Sequence, residues 1–295
     1  MKSKKILLAL LFLFLNWNTI VLAKQNTDAQ RIVSLSPSIT EVLFAIGAGD
    51  QVAAVTDFCT YPNEALKKPK IGGMLNSSAE AIIALKPDLI IFQPGKSNVK
   101  QLAKKLNIKY IETSFQDLKS IYQSIQDIGH AIGRGKEAEK LISDIKSKLK
   151  SYQIRLKNVK PKSTLLILGD SQDPLRDLYA VGKKTFLDEL LTLSGGENVL
   201  DTTLSEYPKV SREFIISRSP EAIIIAGPNS EITQKEFSSN LNVWRVLGSV
   251  RAVQNRNIHI VSADYILIPG PRLVNIVEKF YQALHSSSLK SSNPQ

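Results

Sequence analysis

One phrase occurs twice in this chain, and nothing else in it restricts the fold as much. Ser78-Ala79-Glu80 opens the run SAEAIIALKPDLII, and Ser211-Arg212-Glu213 opens SREFIISRSPEAIII. In both, a glutamate stands two residues after the serine and a proline seven after the glutamate (Pro87, Pro220). A β-branched apolar run follows each proline. Serine ahead of a helical stretch supplies a side-chain acceptor for the free N–H groups of the first turn. Proline ends the helix. The short apolar run between turn signals predicts a buried strand. The copies lie in different halves of the chain, which predicts two similar lobes, each with one acidic residue in the first turn of a matching helix.

The flanking pattern extends this into an α/β fold with mostly parallel sheets. Ile32-Val33-Ser34-Leu35 reads as a short buried strand, and Ser38-Ile39-Thr40-Glu41 as a capping box opening a helix that runs to Ile46. Val52–Val55 reads as the next strand, so strand, helix and strand form a parallel unit with a right-handed crossover. Further strands are expected at Leu89–Phe92, Tyr110-Ile111, Thr164–Leu168, Ala222–Ile225 and Ile258–Val261. Helices are expected at Val99–Leu106, Leu118–Ile132, Thr185–Leu193 and Leu273–Leu284. Between the copies, Ala138, Leu141, Ile142, Ile145, Leu149, Tyr152 and Leu156 recur at helical steps without Gly or Pro. This predicts one long amphipathic helix that ties the lobes stiffly. The expected divisions are a leader at 1–23, an N-terminal lobe at 24–135, the connecting helix at 136–160, a C-terminal lobe at 161–288 and a frayed tail at 289–295.

The leader reads as a cleaved export signal. Lys2, Lys4 and Lys5 precede an apolar run, Ile6–Leu15, and Val21-Leu22-Ala23 offers small residues for cleavage after Ala23. No cysteine follows directly, so a freely soluble periplasmic protein is expected, not a lipoprotein. About 270 residues then remain, enough for two ordinary α/β lobes. The single cysteine, Cys59, excludes an intrachain disulfide and reads as a small buried apolar residue. The formal charge is +11. The lysines around 67–70, 100–109 and 136–162 sit on helical patterns with acidic residues between them, without the interleaved aromatics of a nucleic-acid surface. No nucleic-acid partner is expected.

Catalytic constellations are scarce. The histidines, His130, His259 and His285, lie outside any zinc-ligand spacing, and neither a nucleophile elbow nor a phosphate loop occurs. No catalytic residue, resident cofactor or metal site is expected. The loops at the C-terminal ends of the predicted strands are richer. They carry Ser36, Pro37, Phe58, Tyr61, Met74, Gln93, Asp170, Tyr179, Tyr207, Asp264 and Tyr265. Open parallel sheets bind ligands at that edge. Aromatic and apolar side chains with a few polar ones suit a large, partly apolar ligand.

The segments RIVSLSPSITEVLFAIGAG, TDFCTYPNEA, AIIALKPDLIIF and YPKVSREFIISRSPEAIII resemble periplasmic substrate-binding proteins of the vitamin B12 importer type, within the class that also serves haem and ferric siderophores. The resemblance runs from about Arg31 to His285. It implies two α/β lobes joined by a rigid helix, a ligand cleft between them and slight closure. It further implies that Glu80 and Glu213 dock onto arginines of the two subunits of a dimeric ABC permease in the inner membrane. Phe58, Tyr179, Tyr207, Asp264 and Tyr265 fall on positions that touch a corrin ligand. Met74 and Gln93 depart from the pattern, standing where a well-known member has tryptophans. The implied function is capture of cobalamin or a related corrinoid by a monomer and delivery to the importer. Haem is the alternative, through a tyrosine phenolate on ferric iron. A ferric siderophore, met by Arg272 or Arg176, is a third reading. An exported α/β enzyme is the reading from a different class.

Overall fold

The computed structural model describes residues 29–169, 178–201, 205–228 and 242–289. The expected leader at 1–23, Asp170 and Arg176 lie outside them. The chain builds two parallel sheets in sequence. The first contains β1 (Ile32–Ser34), β2 (Val52–Val55), β3 (Leu89–Phe92) and β4 (Lys109–Glu112), in the order β2-β1-β3-β4. The second contains β5 (Lys162–Leu168), β6 (Tyr179–Ala180), β7 (Gly196–Asn198), β8 (Ala222–Gly227) and β9 (Ile258–Ser262). Here β8 pairs β5 and β9 in parallel, and β7 pairs the first half of β5 in parallel. The order β7-β5-β8-β9 therefore repeats the first lobe's plan. The departure is β6, which pairs antiparallel with the second half of β5.

The helices follow the same plan. The first lobe has α1 (Pro37–Ala45), α2 (Asn63–Leu66), α3 (Ala79–Ala84), α4 (Ser97–Lys105) and α5 (Leu118–Ala131). Then comes α6 (Gly135–Arg155), followed in the second lobe by α7 (Phe186–Leu193), α8 (Arg212–Arg218), α9 (Arg251–Gln254) and α10 (Leu273–Leu289). Helix α6 packs against α5 of the first lobe and against α7 and α10 of the second, through one buried stripe of Ala138, Ile142, Ile145 and Leu149.

Strand alternation divides the interior into three cores. Ile32, Leu89 and Ile91 of the first sheet, and Leu166, Ala222, Ile224 and Ala226 of the second, face one continuous apolar cluster filled by helices from both lobes. The intervening residues face outward into separate cores. Val33, Ile90 and Phe92 meet Ile82 of α3 and Val99 of α4. Leu165, Ile223 and Ile225 meet Ile215 of α8 and Ala252 of α9. Both sheets carry cores on both faces, which is why the central strands β3 and β8 read as apolar runs without polar alternation.

The two copies of the repeated phrase adopt the same structure. Ser78 Oγ accepts from Ala81 N at 3.1 Å, and Ser211 Oγ from Phe214 N at 3.2 Å. Each helix leaves through a left-handed residue, Lys86 (φ 46°) or Ser219 (φ 38°), directly before its proline. Proline disfavours right-handed helical geometry in the residue ahead of it, so neither helix continues to that position. The acidic residue after each proline then latches the entry of its lobe's first strand. Asp88 accepts from the backbone N of Gln30 (2.8 Å) and Arg31 (3.1 Å), and Glu221 from that of Ser163 (2.9 Å).

Three details differ from the sequence reading. The capping box at Ser38–Glu41 is absent: α1 starts at Pro37, and Ser36 Oγ accepts from Ile39 N at 3.4 Å. Proline at the first helical position sacrifices no hydrogen bond, which allows the earlier start. Strands β6 and β7 were not expected. Gly196-Glu197-Asn198 has no apolar alternation; its buried Asn198 is satisfied by side-chain bonds to Val181 O and Asp188 Oδ1, both 2.9 Å. The short helices α2 and α9 also carry too few residues for a periodic signal.

Candidate functional site

Parallel strands place all their C-terminal ends on one edge, and the edges of the two sheets meet. On one side Gln116, just past β4, donates through Nε2 to Glu206 Oε1 at 2.8 Å, and its carbonyl accepts from Phe186 N at 2.6 Å. On the other side Arg272, at the entrance to α10, reaches α1. Its Nε and Nη2 donate to Glu41 Oε2 (2.9 Å) and Oε1 (2.5 Å), and its Nη1 donates to Asp264 Oδ2 at 2.7 Å. The guanidinium carbon lies 4.0 Å from the Tyr61 ring centroid and 5.0 Å from that of Tyr265. Tyr61, Asp264 and Tyr265 thus converge on one cation, with contributions from both lobes.

The other residues expected at the site occupy the same rims. Gln93, at the end of β3, donates from Nε2 to Ser36 Oγ at 3.1 Å, beside the half-buried Pro37. Phe58 is 60% exposed after β2. Gly73 lies close to its ring, with Met74 next in the chain, half-buried. On the second rim Tyr179 is exposed on β6, bridged to Lys209, while Ala180 N donates to Pro208 O at 2.9 Å. This draws Tyr207, packed against the shared core, opposite Val181, two residues past Tyr179. Burial and the neighbouring Glu206 push the Tyr207 phenol above its ordinary pKa. Burial, with Asp264 beside it, does the same to Tyr265.

The siderophore reading would have Arg272 offer its charge to the ligand. Instead it is taken up by two carboxylates and two rings, and its side chain is only 10% exposed. Asp264, expected to touch ligand, spends one oxygen on the same guanidinium. Glu41 was missed as a site residue. Its side chain is 2% exposed, and burial raises its carboxyl pKa against the lowering effect of Arg272. Glu41 and Arg272 are 231 residues apart, so no local pattern links them.

Cys59 is fully buried; the Thr40 hydroxyl donates to its sulfur at 3.1 Å. Among the described residues no group of three or more His, Cys, Asp or Glu side chains forms a metal site, and no helix is long and apolar enough to cross a membrane.

Glu80 and Glu213 are exposed at the second position of α3 and α8. A bond from its own backbone N–H, then the Ser78 hydroxyl, hold the Glu80 carboxyl below its ordinary pKa. For Glu213 the Ser211 hydroxyl leads and its own backbone follows. Both carboxylates stand at the C-terminal rim of their sheets. Ser78 N donates to Ile71 O, past the end of β2, and Val210 N donates to Leu178 O, past the end of β5. One helical turn on, each glutamate has an exposed isoleucine, Ile83 (44%) and Ile216 (46%).

Residues 32–265 match the periplasmic binding protein family, and the chain belongs to it. It is a binding protein and not an enzyme, of a family that works outside the cytoplasmic membrane. An ABC transporter substrate-binding lipoprotein of Bacillus subtilis is 31% identical, covering 89% of this chain and 82% of that protein. A vitamin B12-binding protein of Vibrio cholerae serotype O1 is 28% identical, covering 92% of this chain and 94% of that one. The crystal structure of the periplasmic heme binding protein HutB of Vibrio cholerae superimposes with a TM-score of 0.76 at 22% identity, over 87% of this chain and 99% of that one. The last likeness establishes the two-lobed fold.

Proposed function

We propose that this chain captures cobalamin or a related corrinoid between its lobes and delivers it to a dimeric ABC permease. The observation that carries this reading is the aromatic pair Tyr61 and Tyr265. One comes from each lobe, and both are held on Arg272 at the meeting of the rims. Phe58 and Tyr179 stand exposed on the same rims. Preformed aromatic surfaces bind a large planar ligand with little ordering cost. The 28% identical B12-binding relative supports the corrinoid over other planar ligands. In this reading Pro37, Phe58, Tyr61, Met74, Gln93, Tyr179, Tyr207, Asp264 and Tyr265 line the ligand cleft.

Glu80 and Glu213 are the proposed permease contacts, one per lobe. Their matched exposure and the matched isoleucines beside them suit a partner with twofold symmetry. The proposed divisions remain 24–135, 136–160 and 161–288, acting as a monomer. We further propose release after Ala23 into the periplasm. The Bacillus subtilis relative is a lipoprotein, but the one cysteine here, Cys59, is buried in the first lobe and is no anchor.

The test is a titration of the leaderless protein with cyanocobalamin, hemin and a ferric siderophore. Saturable one-to-one heat with cyanocobalamin is expected. Silence with the corrinoid and a Soret shift with hemin would reverse the assignment.

A further inference from the structure

The first helix of each lobe sends one glutamate into the other lobe. Glu41 of α1 accepts two hydrogen bonds from Arg272, the residue before α10. Glu189 of α7 accepts from the backbone N of Leu118, the first residue of α5, at 2.6 Å. Helices α5 and α10 follow the last strand of their own sheets, so the ties occupy equivalent places. Each lobe holds the entrance of the other's closing helix.

The ties differ in what they carry. Glu189 meets a backbone N–H fixed by the start of α5, where Asp117 Oδ1 accepts from Ser120 N at 2.7 Å. Glu41 meets a planar guanidinium through two bonds, which fixes an angle as well as a distance. That guanidinium also holds Asp264 and lies against one tyrosine from each lobe. A buried ion pair adds little net stability over an apolar pair of similar volume; its return is orientation.

We propose that Glu41 and Arg272 are a positioning pair that sets the angle between the lobes and holds Tyr61 and Tyr265 at their working separation. The Arg272 charge is neutralised by two carboxylates, so the residue acts through the tyrosines and not on an anionic ligand. The lobe angle is a property of the free protein; only the effect on affinity rests on ligand capture between the lobes.

Spin labels at K105C and Q254C, exposed positions on α4 and α9, report the distance between lobes without ligand; Cys59 is buried and stays unlabelled. The parent should give one narrow distance distribution. The double variant E41M/R272M replaces the pair by apolar groups of similar volume. It should keep its Tm within a few degrees, broaden the distribution about twofold, and lower affinity for cyanocobalamin or hemin, whichever the parent binds, about 10-fold. Parental width and affinity in a folded double variant would overturn the proposal. If that variant fails to fold, Arg272→Lys decides. It keeps the charge and loses the two-bonded plane: broadening supports the pair, and an unchanged width refutes it. If the parent binds neither probe, the corrinoid and haem readings fail together, while the distance widths still decide the positioning role.

Discussion

The two lobes share a framework and differ at the rim. Both have the strand order of a doubly wound unit, the same serine cap, the same left-handed exit before proline and the same acidic latch on the first strand. At the meeting edge the likeness ends. The second lobe adds β6, which carries Tyr179, and its tie into the first lobe uses a backbone N–H where the other uses Arg272. The duplicated glutamates are exposed at equivalent places on the two lobes, where the proposed twofold partner would find the same surface twice. The unduplicated tie at Arg272 lies where the two rims meet, at the proposed ligand cleft, where a ligand without twofold symmetry would have to be read. Under the proposed function, repetition serves docking and its loss serves ligand capture.

The shared core gives the strongest way to break this comparison. Phe280 is fully buried in the cluster common to both lobes. Phe280→Ala should cost about 3–5 kcal/mol and lower a single calorimetric transition. Two separate transitions would show that the lobes are independent units. Next in size, Glu80→Ala and Glu213→Ala together should reduce uptake about 10-fold, a loss of the kind expected when charge-assisted contacts are removed, while ligand affinity is unchanged. Normal uptake by the double variant would sink the proposed docking role. Unequal single variants would show that the partner does not see the lobes as equivalent.

The caps sharpen the comparison on a smaller scale. Ser78→Ala and Ser211→Ala should each cost about 1 kcal/mol in denaturant unfolding, and equally. A cost confined to one would show that only one cap supports its lobe. The smallest effect concerns pH. Burial raises the Glu41 carboxyl in the folded state. A carboxyl raised in this way binds its proton more tightly folded than unfolded. Its contribution to stability therefore falls as pH rises from the ordinary carboxylate range through the raised value. Glu41→Gln should flatten that part of the Tm–pH curve, and an unaltered slope would remove Glu41 as its source.

Much of the framework was legible because its signals are local. The serine–glutamate–proline spacing, the apolar runs at Leu89–Phe92 and Ala222–Ile225 and the long amphipathic pattern of α6 each act within a few turns of chain. Strand order then brought Phe58, Tyr61, Asp264 and Tyr265 to one edge, since parallel pairing leaves no other choice, and Tyr179 reaches it on antiparallel β6, opposite Leu168 at the end of β5. Local reading failed where a residue serves a distant partner. Glu41 looked like half of a capping box, and Arg272 like a free cation. Gly196-Glu197-Asn198 looked like loop, because its pairing is set by β5 and its buried asparagine by Val181 and Asp188. The sequence by itself determined two lobes of one design, with an aromatic edge on each. Only the tertiary structure decided how those edges meet, because the groups that join them are far apart in the chain and pair through burial and charge without any periodic trace.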